Sequence, residues 1–361
     1  MTPPSHRSPG GARRRAGEPP VVARVLRGGR VESVHRGRVA VCDEGGRLTA
    51  RCGDADTPIY LRSAAKPFQV LPLLEAGGIR AFRLRDDEIA IMCASHGGEP
   101  GHVSVVRGLL RKGGFTEKDL VCGAHAPMYE PAARALLARG ARPTRLHNNC
   151  SGKHAGLLLA SRLLGVSPRG YEKPQHPLQR RIRARLAQLA GVPARRIATA
   201  VDGCGLPVFF LPLSGLAAAY ARLAAGRVPG ETAPQRAARR AVWKAFVASP
   251  WMVAGTGRFT TEFLEAGRGR WIGKEGAEGV YAVAIRRPRG GAVGVAWKIE
   301  DGSIRARDAA GLSALGRLGW LPADARRRLA AHLSPTVHNA AGAVVGAIEA
   351  DVVLRGRRAR S

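Results

Sequence analysis

The chain has 361 residues with 58 Lys and Arg against 27 Asp and Glu, a formal net charge of +31, and is 45% hydrophobic but only 5% aromatic. That length and apolar share allow a large buried core. Few aromatic rings argue against stacking platforms for single-stranded nucleic acid, and no run approaches the ~18 uninterrupted apolar residues of a membrane span. Only eight of the 58 cations are lysines. The arginine excess is scattered through Ala/Gly/Arg-rich stretches and reads as compositional bias, so neither a specific nucleic-acid partner nor a membrane partner is expected. Six cysteines are too dilute for a secreted disulfide scaffold, and a reduced cytoplasm is the expected compartment.

Residues 1–20 combine Pro, Gly, Ser and Arg13-Arg14-Arg15 with no apolar segment, and read as a disordered basic tail without a secretory signal. From Val21 to Thr49, apolar runs punctuated by Gly28-Gly29 and Gly45-Gly46 predict a strand meander. Ser63 to Gly77 reads as helix, with Pro67 near its start and Pro72 bending it. Pro131 to Gly140 and Pro177 to Gly191 open with Pro and close with Gly, the order of helix start and stop. Leu157 to Leu164 is an apolar helix. Val280 to Ile285 and Ala292 to Ile299 flank Pro288-Arg-Gly-Gly291 as a hairpin, helix returns near Gly311 to Trp320, and residues 355–361 read as a second basic tail. Residues 21–354 are therefore expected to form one α/β unit, with room for a helical lobe between early and late strands.

Three of the eight lysines sit in compact motifs: Ser63-Ala-Ala-Lys66, Asn148-Asn-Cys150-Ser-Gly-Lys153-His154, and Gly273-Lys274-Glu-Gly-Ala-Glu-Gly279. Arginine does not give up its proton, whereas a desolvated lysine can act as base or ligand. Ser63 and Lys66 at i,i+3 share a helix face, close enough for the amine to take the hydroxyl proton; a capping serine beside a solvated lysine fits the same spacing. Cys93-Ala-Ser95-His96-Gly-Gly-Glu99-Pro100 presents a hydroxyl and an imidazole at a glycine turn, or simply caps the next helix. Cys150 and Cys204, the latter in Asp202-Gly-Cys204-Gly, suit Zn²⁺ with a nitrogen donor. Residue chemistry alone favours His154 as that donor over Lys153, and two inert buried thiols are the alternative. Met252-Val-Ala-Gly255-Thr256-Gly-Arg258 offers amides and a guanidinium to an anionic carboxylate.

Taken together and in this order, Arg62-Ser63-Ala-Ala-Lys66-Pro67, the Ser95 and Lys153 segments, Val201-Asp202-Gly-Cys204-Gly, the Thr256 segment and Gly273-Lys274-Glu-Gly-Ala-Glu-Gly279 resemble the rhizobial-type (class 3) L-asparaginases, an asparaginase II-like family, from about Val21 to about Leu354. The resemblance implies a fold like serine β-lactamases and penicillin-binding proteins, a mainly antiparallel sheet flanked by helices, and a homodimer hydrolysing the L-asparagine side-chain amide. It implies two tandems, Ser63 with Lys66 and Ser95 with Lys274, and a zinc site of Cys150, Lys153 and Cys204 completed by water. In the mechanism expected from these residues, Ser63 attacks with Lys66 as base. Ser95 and Lys274 complete the proton network, Arg62 and Asp202 hold the substrate's charged groups, and zinc positions substrate. Gly97-Gly98, where a Ser is expected first, and Gly205 depart from the family pattern. L-glutamine or another amide is the alternative substrate, since one methylene is worth only ~1–3 kcal/mol in most pockets. A basic nucleic-acid-binding protein or a zinc-stabilised structural protein are readings of a different class.

Overall fold

The computed structural model describes residues 17–356. The strands are β1 (Val21–Arg27), β2 (Arg30–Asp43), β3 (Leu48–Cys52), β4 (Pro58–Tyr60), β5 (Ala198–Val201), β6 (Pro207–Pro212), β7 (Trp271–Gly276), β8 (Val280–Arg286), β9 (Ala292–Ile299), β10 (Thr336–His338), β11 (Val344–Ala350) and β12 (Arg355–Gly356). A nine-stranded sheet runs β10-β11-β1-β2-β9-β8-β7, with β3 joining β2 and β12 joining β3; β4-β6-β5 form a second, small sheet. Every pairing is antiparallel. Most of the helices lie between β4 and β7 in the chain, so a helical layer is inserted between early and late strands.

The expected meander is present as β1, β2 and β3, and Gly28, Gly29 and Gly46 adopt the positive φ its turns require. The hairpin β8–β9 and the helices Glu130–Ala138 and Pro177–Ala190 lie where the sequence put them, to within a turn, while the helix expected near Gly311 to Trp320 is Ile304–Arg317 and starts about two turns earlier. Ser63 to Gly77 is less regular than expected. It is a 3₁₀ turn, Arg62–Ala65, then short helices Lys66–Gln69 and Leu71–Glu75, because Pro67 and Pro72 each remove a backbone donor. The expected basic tails fall mostly on residues 1–16 and 357–361, outside the described residues. Their inner ends are held: Pro20 O accepts from Gly37 N (3.0 Å), and Arg355 and Gly356 pair with Arg51 and Ala50 as a strand, which corrects the boundary drawn at Leu354.

The period of two in the central strands divides the core. On one face, Ala282, Ala284, Ala292 and Ala296 join Ala40 and Cys42 against the large helical layer; on the other, Tyr281, Val283, Ile285, Val293, Val295 and Trp297 pack with Phe259, Phe263 and Leu312. Small residues on the first face let the helix Leu213–Ala224 lie almost on the strands. A Cβ on Gly294 would stand 1.8 Å from Ala217 O. Trp297 fills the second face, where a Cβ on Gly311 would meet its ring at 2.0 Å.

Gly294→Ala is therefore expected to lower the urea-unfolding free energy by at least ~2 kcal/mol through overpacking. Gly108→Ala, inside the helix Pro100–Lys112 with no atom within 4 Å of the added carbon, should instead raise it by ~0.5–1 kcal/mol. Equal effects in both variants would remove the case for close approach at Gly294.

Candidate active site

The helix Asp86–Met92 ends at Cys93, and the segment to Glu99 is held on two sides: Ser95 N donates to Val253 O (3.1 Å) and His96 N to Asn149 O (3.3 Å). His96 is fully buried. Its Nδ1 accepts from Gly98 N (3.1 Å), so Nε2 carries the hydrogen and donates to Ser151 Oγ (2.9 Å), which passes its own to Leu146 O (2.9 Å). Burial, then the charges of His102 and Lys66, push the His96 imidazole well below its ordinary pKa. A neutral imidazole with both nitrogens engaged is a brace, not an acid or base. Glu99 clamps the next loop, with Thr256 N (3.0 Å) and Thr256 Oγ1 (2.7 Å) donating to its two carboxylate oxygens. Neither Glu99 nor this clamp is legible in sequence, since only the fold brings residues 99 and 256 together.

Ser95 lies at the centre. Lys66 Nζ donates to Ser95 Oγ (3.0 Å), Ala94 O (2.5 Å) and, at the limit, Asn149 O (3.5 Å); Lys274 Nζ donates to the same Ser95 Oγ (2.9 Å) and to Glu275 O (3.1 Å). Both amines are buried, at 1% and 0% exposure. The expected pairing of Ser63 with Lys66 is not made. The Lys66 stem carries its amine to Ser95 and two backbone carbonyls, while the Ser63 hydroxyl, half-buried in the 3₁₀ turn, has no hydrogen-bond partner among the described residues. Burial pushes the Lys274 amine down to about 7; Glu275 opposes that shift and Lys66 reinforces it.

Lys274 sits on β7, the edge strand, whose Gly276 lies under Leu61 O (a Cβ there would meet it at 2.7 Å), so the Ser63 turn runs along this edge. Arg62 precedes Ser63 with φ +49, a left-handed conformation costing a non-glycine residue ~1–3 kcal/mol. Its Nε donates to Asp202 Oδ1 (2.9 Å), which also accepts from Gly203 N (2.8 Å). The two residues expected to hold substrate charges thus hold each other. A cavity of ≈ 310 Å³ lined by Gly97, Met128, Tyr129, Thr256, Gly257 and Arg258 opens at the Glu99–Thr256 clamp. Another of ≈ 620 Å³, around Trp271 and Trp320, includes none of the motif residues.

Cys150, Lys153 and Cys204 also come together. Cys150 caps the helix Ser151–Leu163, whose second residue must be Gly152 because a Cβ there would stand 2.2 Å from Ile91 O. Lys153 Nζ donates to Cys204 Sγ (3.0 Å). The Cys204 thiol, working against burial and helped by Lys153 and Lys66, draws the Cys150 thiol well below its ordinary pKa; Cys150 and burial push Cys204 up. Burial would lower the Lys153 amine, but the two sulfurs hold it above its usual value. In His154, the donor favoured on residue chemistry alone, Nδ1 is bonded to Tyr171 OH (2.8 Å) and the buried Nε2 has no hydrogen-bond partner among the described residues. Among the described residues no three His, Cys, Asp or Glu side chains form a metal-holding group, so a metal here would meet the Cys150 and Cys204 sulfurs and the Lys153 amine, and would have to displace protons from the last two.

The sequence pattern of the family described as L-asparaginase II matches residues 23–350. No curated protein matches the chain. Among solved structures it is similar to one titled "Crystal Structure Analysis of Mglu", at 17% identity over 79% of this chain and 66% of that chain, with a TM-score of 0.44. It is likewise similar to Mglu in its glutamate form, at 18% identity over 79% and 60%, with a TM-score of 0.43. The chain spans about two thirds or less of the length of these proteins. No helix among the described residues is long and apolar enough to cross a membrane. Because the family pattern covers nearly all of the described residues, the protein belongs to the L-asparaginase II family.

Proposed function

We propose that the protein hydrolyses the side-chain amide of L-asparagine to L-aspartate and ammonia by a Ser-Lys mechanism on a serine β-lactamase-like fold. The observation that carries this reading is the convergence of two buried lysine amines on one hydroxyl, Ser95 Oγ, at 2.9 and 3.0 Å. Ser63 is the nucleophile. It lies three residues before Lys66, and its half-buried, unengaged hydroxyl is more accessible than that of Ser95, which is 4% exposed and already accepts two N–H bonds. As Ser63 Oγ adds to the amide carbon, its proton passes to the Lys66–Ser95–Lys274 relay. The relay returns that proton to the departing nitrogen as the C–N bond breaks, releasing ammonia and leaving an acyl ester on Ser63. Water, deprotonated by the same relay, then cleaves the ester to aspartate.

Arg62 and Asp202 are assigned to the substrate's carboxylate and ammonium, respectively, exchanging their mutual ion pair for contacts to the ligand. Cys150, Lys153 and Cys204 would hold a zinc ion, which when bound supplies positive charge for orienting the substrate. The family resemblance adds a homodimer. Zinc content by elemental analysis should fall in Cys150→Ser and Cys204→Ser, and in the unmutated protein should fall as pH drops, because an amine must shed its proton to ligate. Retention of stoichiometric zinc by both variants would dismiss this site.

With L-asparagine, Ser63→Ala is expected to lose at least ~10³-fold in kcat/KM and Ser95→Ala ~10²–10⁴-fold, both folded by circular dichroism. Ammonia release from L-glutamine but not L-asparagine would reassign the substrate, and an active Ser63→Ala would move the nucleophile to Ser95. Lys274 must be neutral to accept a proton. Since its pKa is pushed down to about 7, kcat/KM should rise tenfold per pH unit below about 7 and level off above it.

A further inference from the structure

Lys274 is followed directly by a second buried ion, Glu275, which the relay described above does not use. Successive residues of a strand leave by opposite faces, so Glu275 departs on the Tyr281 side of the sheet. At the β7 edge the Lys274 amine turns back to lie 2.9 Å from Glu275 Oε1. Among the described residues that oxygen makes no well-aligned hydrogen bond and faces two cations, Lys274 at 2.9 Å and Arg258 Nη2 at 3.6 Å. The other oxygen, Oε2, accepts from Thr260 Oγ1 (2.5 Å), which is itself in contact with Tyr281 OH (3.1 Å). Burial alone would raise the Glu275 carboxyl; Lys274, Arg258 and the Thr260 hydrogen bond overcome it and hold it at about 2. It is therefore a fixed negative charge.

We propose that Glu275 is a positioning residue of the relay: its buried carboxylate, opposed by Arg258, sets the charge of Lys274 and so the pH range over which Ser95 can pass a proton. The inference rests on reading Lys274 as a relay base. The groups around Lys274 are Glu275 on its own strand, Lys66 from the helix after the Ser63 turn, Cys93 and Ser95 from the loop after Asp86–Met92, Arg258 from the clamped loop, Thr260 from the helix Phe259–Gly267, Tyr281 from β8, and Arg307 with Asp308 behind Glu275. Of the charged ones, Glu275 alone combines a negative charge with direct contact to the amine. Lys66 and Arg258 both disfavour a proton on it. Arg258 differs from Lys66 in being part-exposed beside the ≈ 310 Å³ cavity, on a loop held by Glu99.

Opposite signs follow for two substitutions. Glu275→Gln keeps the shape and removes the charge that favours protonation, so Lys274 should titrate at lower pH. Arg258→Gln removes a repelling charge, so Lys274 should titrate at higher pH. A chain with only eight lysines allows this to be read without any substrate: lysine labelled with ¹³C at Cε gives few signals, and Lys274→Arg assigns the relevant one. The expected result is a midpoint near 7 in the full, unmutated chain, lower by about one unit or more in Glu275→Gln and higher in Arg258→Gln. The acid limb of kcat/KM for L-asparagine should move with it, so that at pH 6 Glu275→Gln retains about fivefold or more of its own plateau relative to the unmutated enzyme.

Midpoints that stay put, or that move the same way in both variants, would overturn the inference, as would a fall in kcat with no displacement of the limb. Should Glu275→Gln not fold, Arg258→Gln at its part-exposed position still decides the matter, since a midpoint that fails to rise is incompatible with the proposal. A chain that releases no ammonia from L-asparagine but shows the two opposed midpoint shifts would refute the substrate assignment and leave the tuning of Lys274 standing.

Discussion

Two like charges share one buried oxygen. Lys66 and Lys274 each lie within hydrogen-bond reach of Ser95 Oγ, so their amines are no farther apart than ~6 Å, and two full positive charges at that separation repel by about 3 kcal/mol at an effective dielectric of ~20. The surroundings of Ser95 are arranged to make that tolerable. Carbonyl oxygens of Ala94 and Asn149 receive one amine and Glu275 faces the other. The His96–Ser151 brace and the Glu99–Thr256 clamp fix the segments that carry those groups. An assembly in which one amine readily gives up its proton to relieve repulsion is suited to moving protons, and the same repulsion makes it costly to hold together without the rest of the fold.

The sheet supplies the rigidity. Its two faces differ in residue size, alanine and glycine toward the helical layer and aromatic or branched residues toward the helices Phe259–Gly267 and Ile304–Arg317, so both layers approach closely without a gap. β7 at the edge is buried along its whole length, yet it pairs on one side only. Its free side is where the Ser63 turn runs, and an unpaired strand edge thereby becomes one wall of the site.

Much of the site's composition was readable in the chain, because lysine is rare there and three of its eight copies sit beside serine, cysteine or glycine. The partners were not. Lys66 pairs with Ser95, twenty-nine positions away, where spacing favoured Ser63 at three; sequence periodicity describes a helix face, and the two prolines broke that helix. Arg62 and Asp202 were picked as binding groups without any sign that they bond each other across 140 positions. Glu275 stood in a quoted motif yet carried no signal, since burial distinguishes it from any surface glutamate. Among elements, the helices Leu213–Ala224 and Ala233–Ala248 were not anticipated, although their two faces differ as much as those of Pro177–Ala190. The meander β1–β3 and the hairpin β8–β9, whose signals are local, came through, whereas β4 to β7 and β10 to β12 were not anticipated.

On the proposed function, the Arg62–Asp202 pair bears on which substrates the site admits. Its side chains are 28% and 15% exposed, and they already form a small internal zwitterion on a strained turn. A free amino acid brings one charge of each sign and can replace both halves at once, leaving neither Arg62 nor Asp202 unpaired. An asparagine within a peptide lacks both charges, and one at a chain end lacks one of them, so opening the pair for it would strand an ion with no partner. On the proposed function, that exchange discriminates against polypeptides without any steric barrier: the lock is an ion pair that only another ion pair can open.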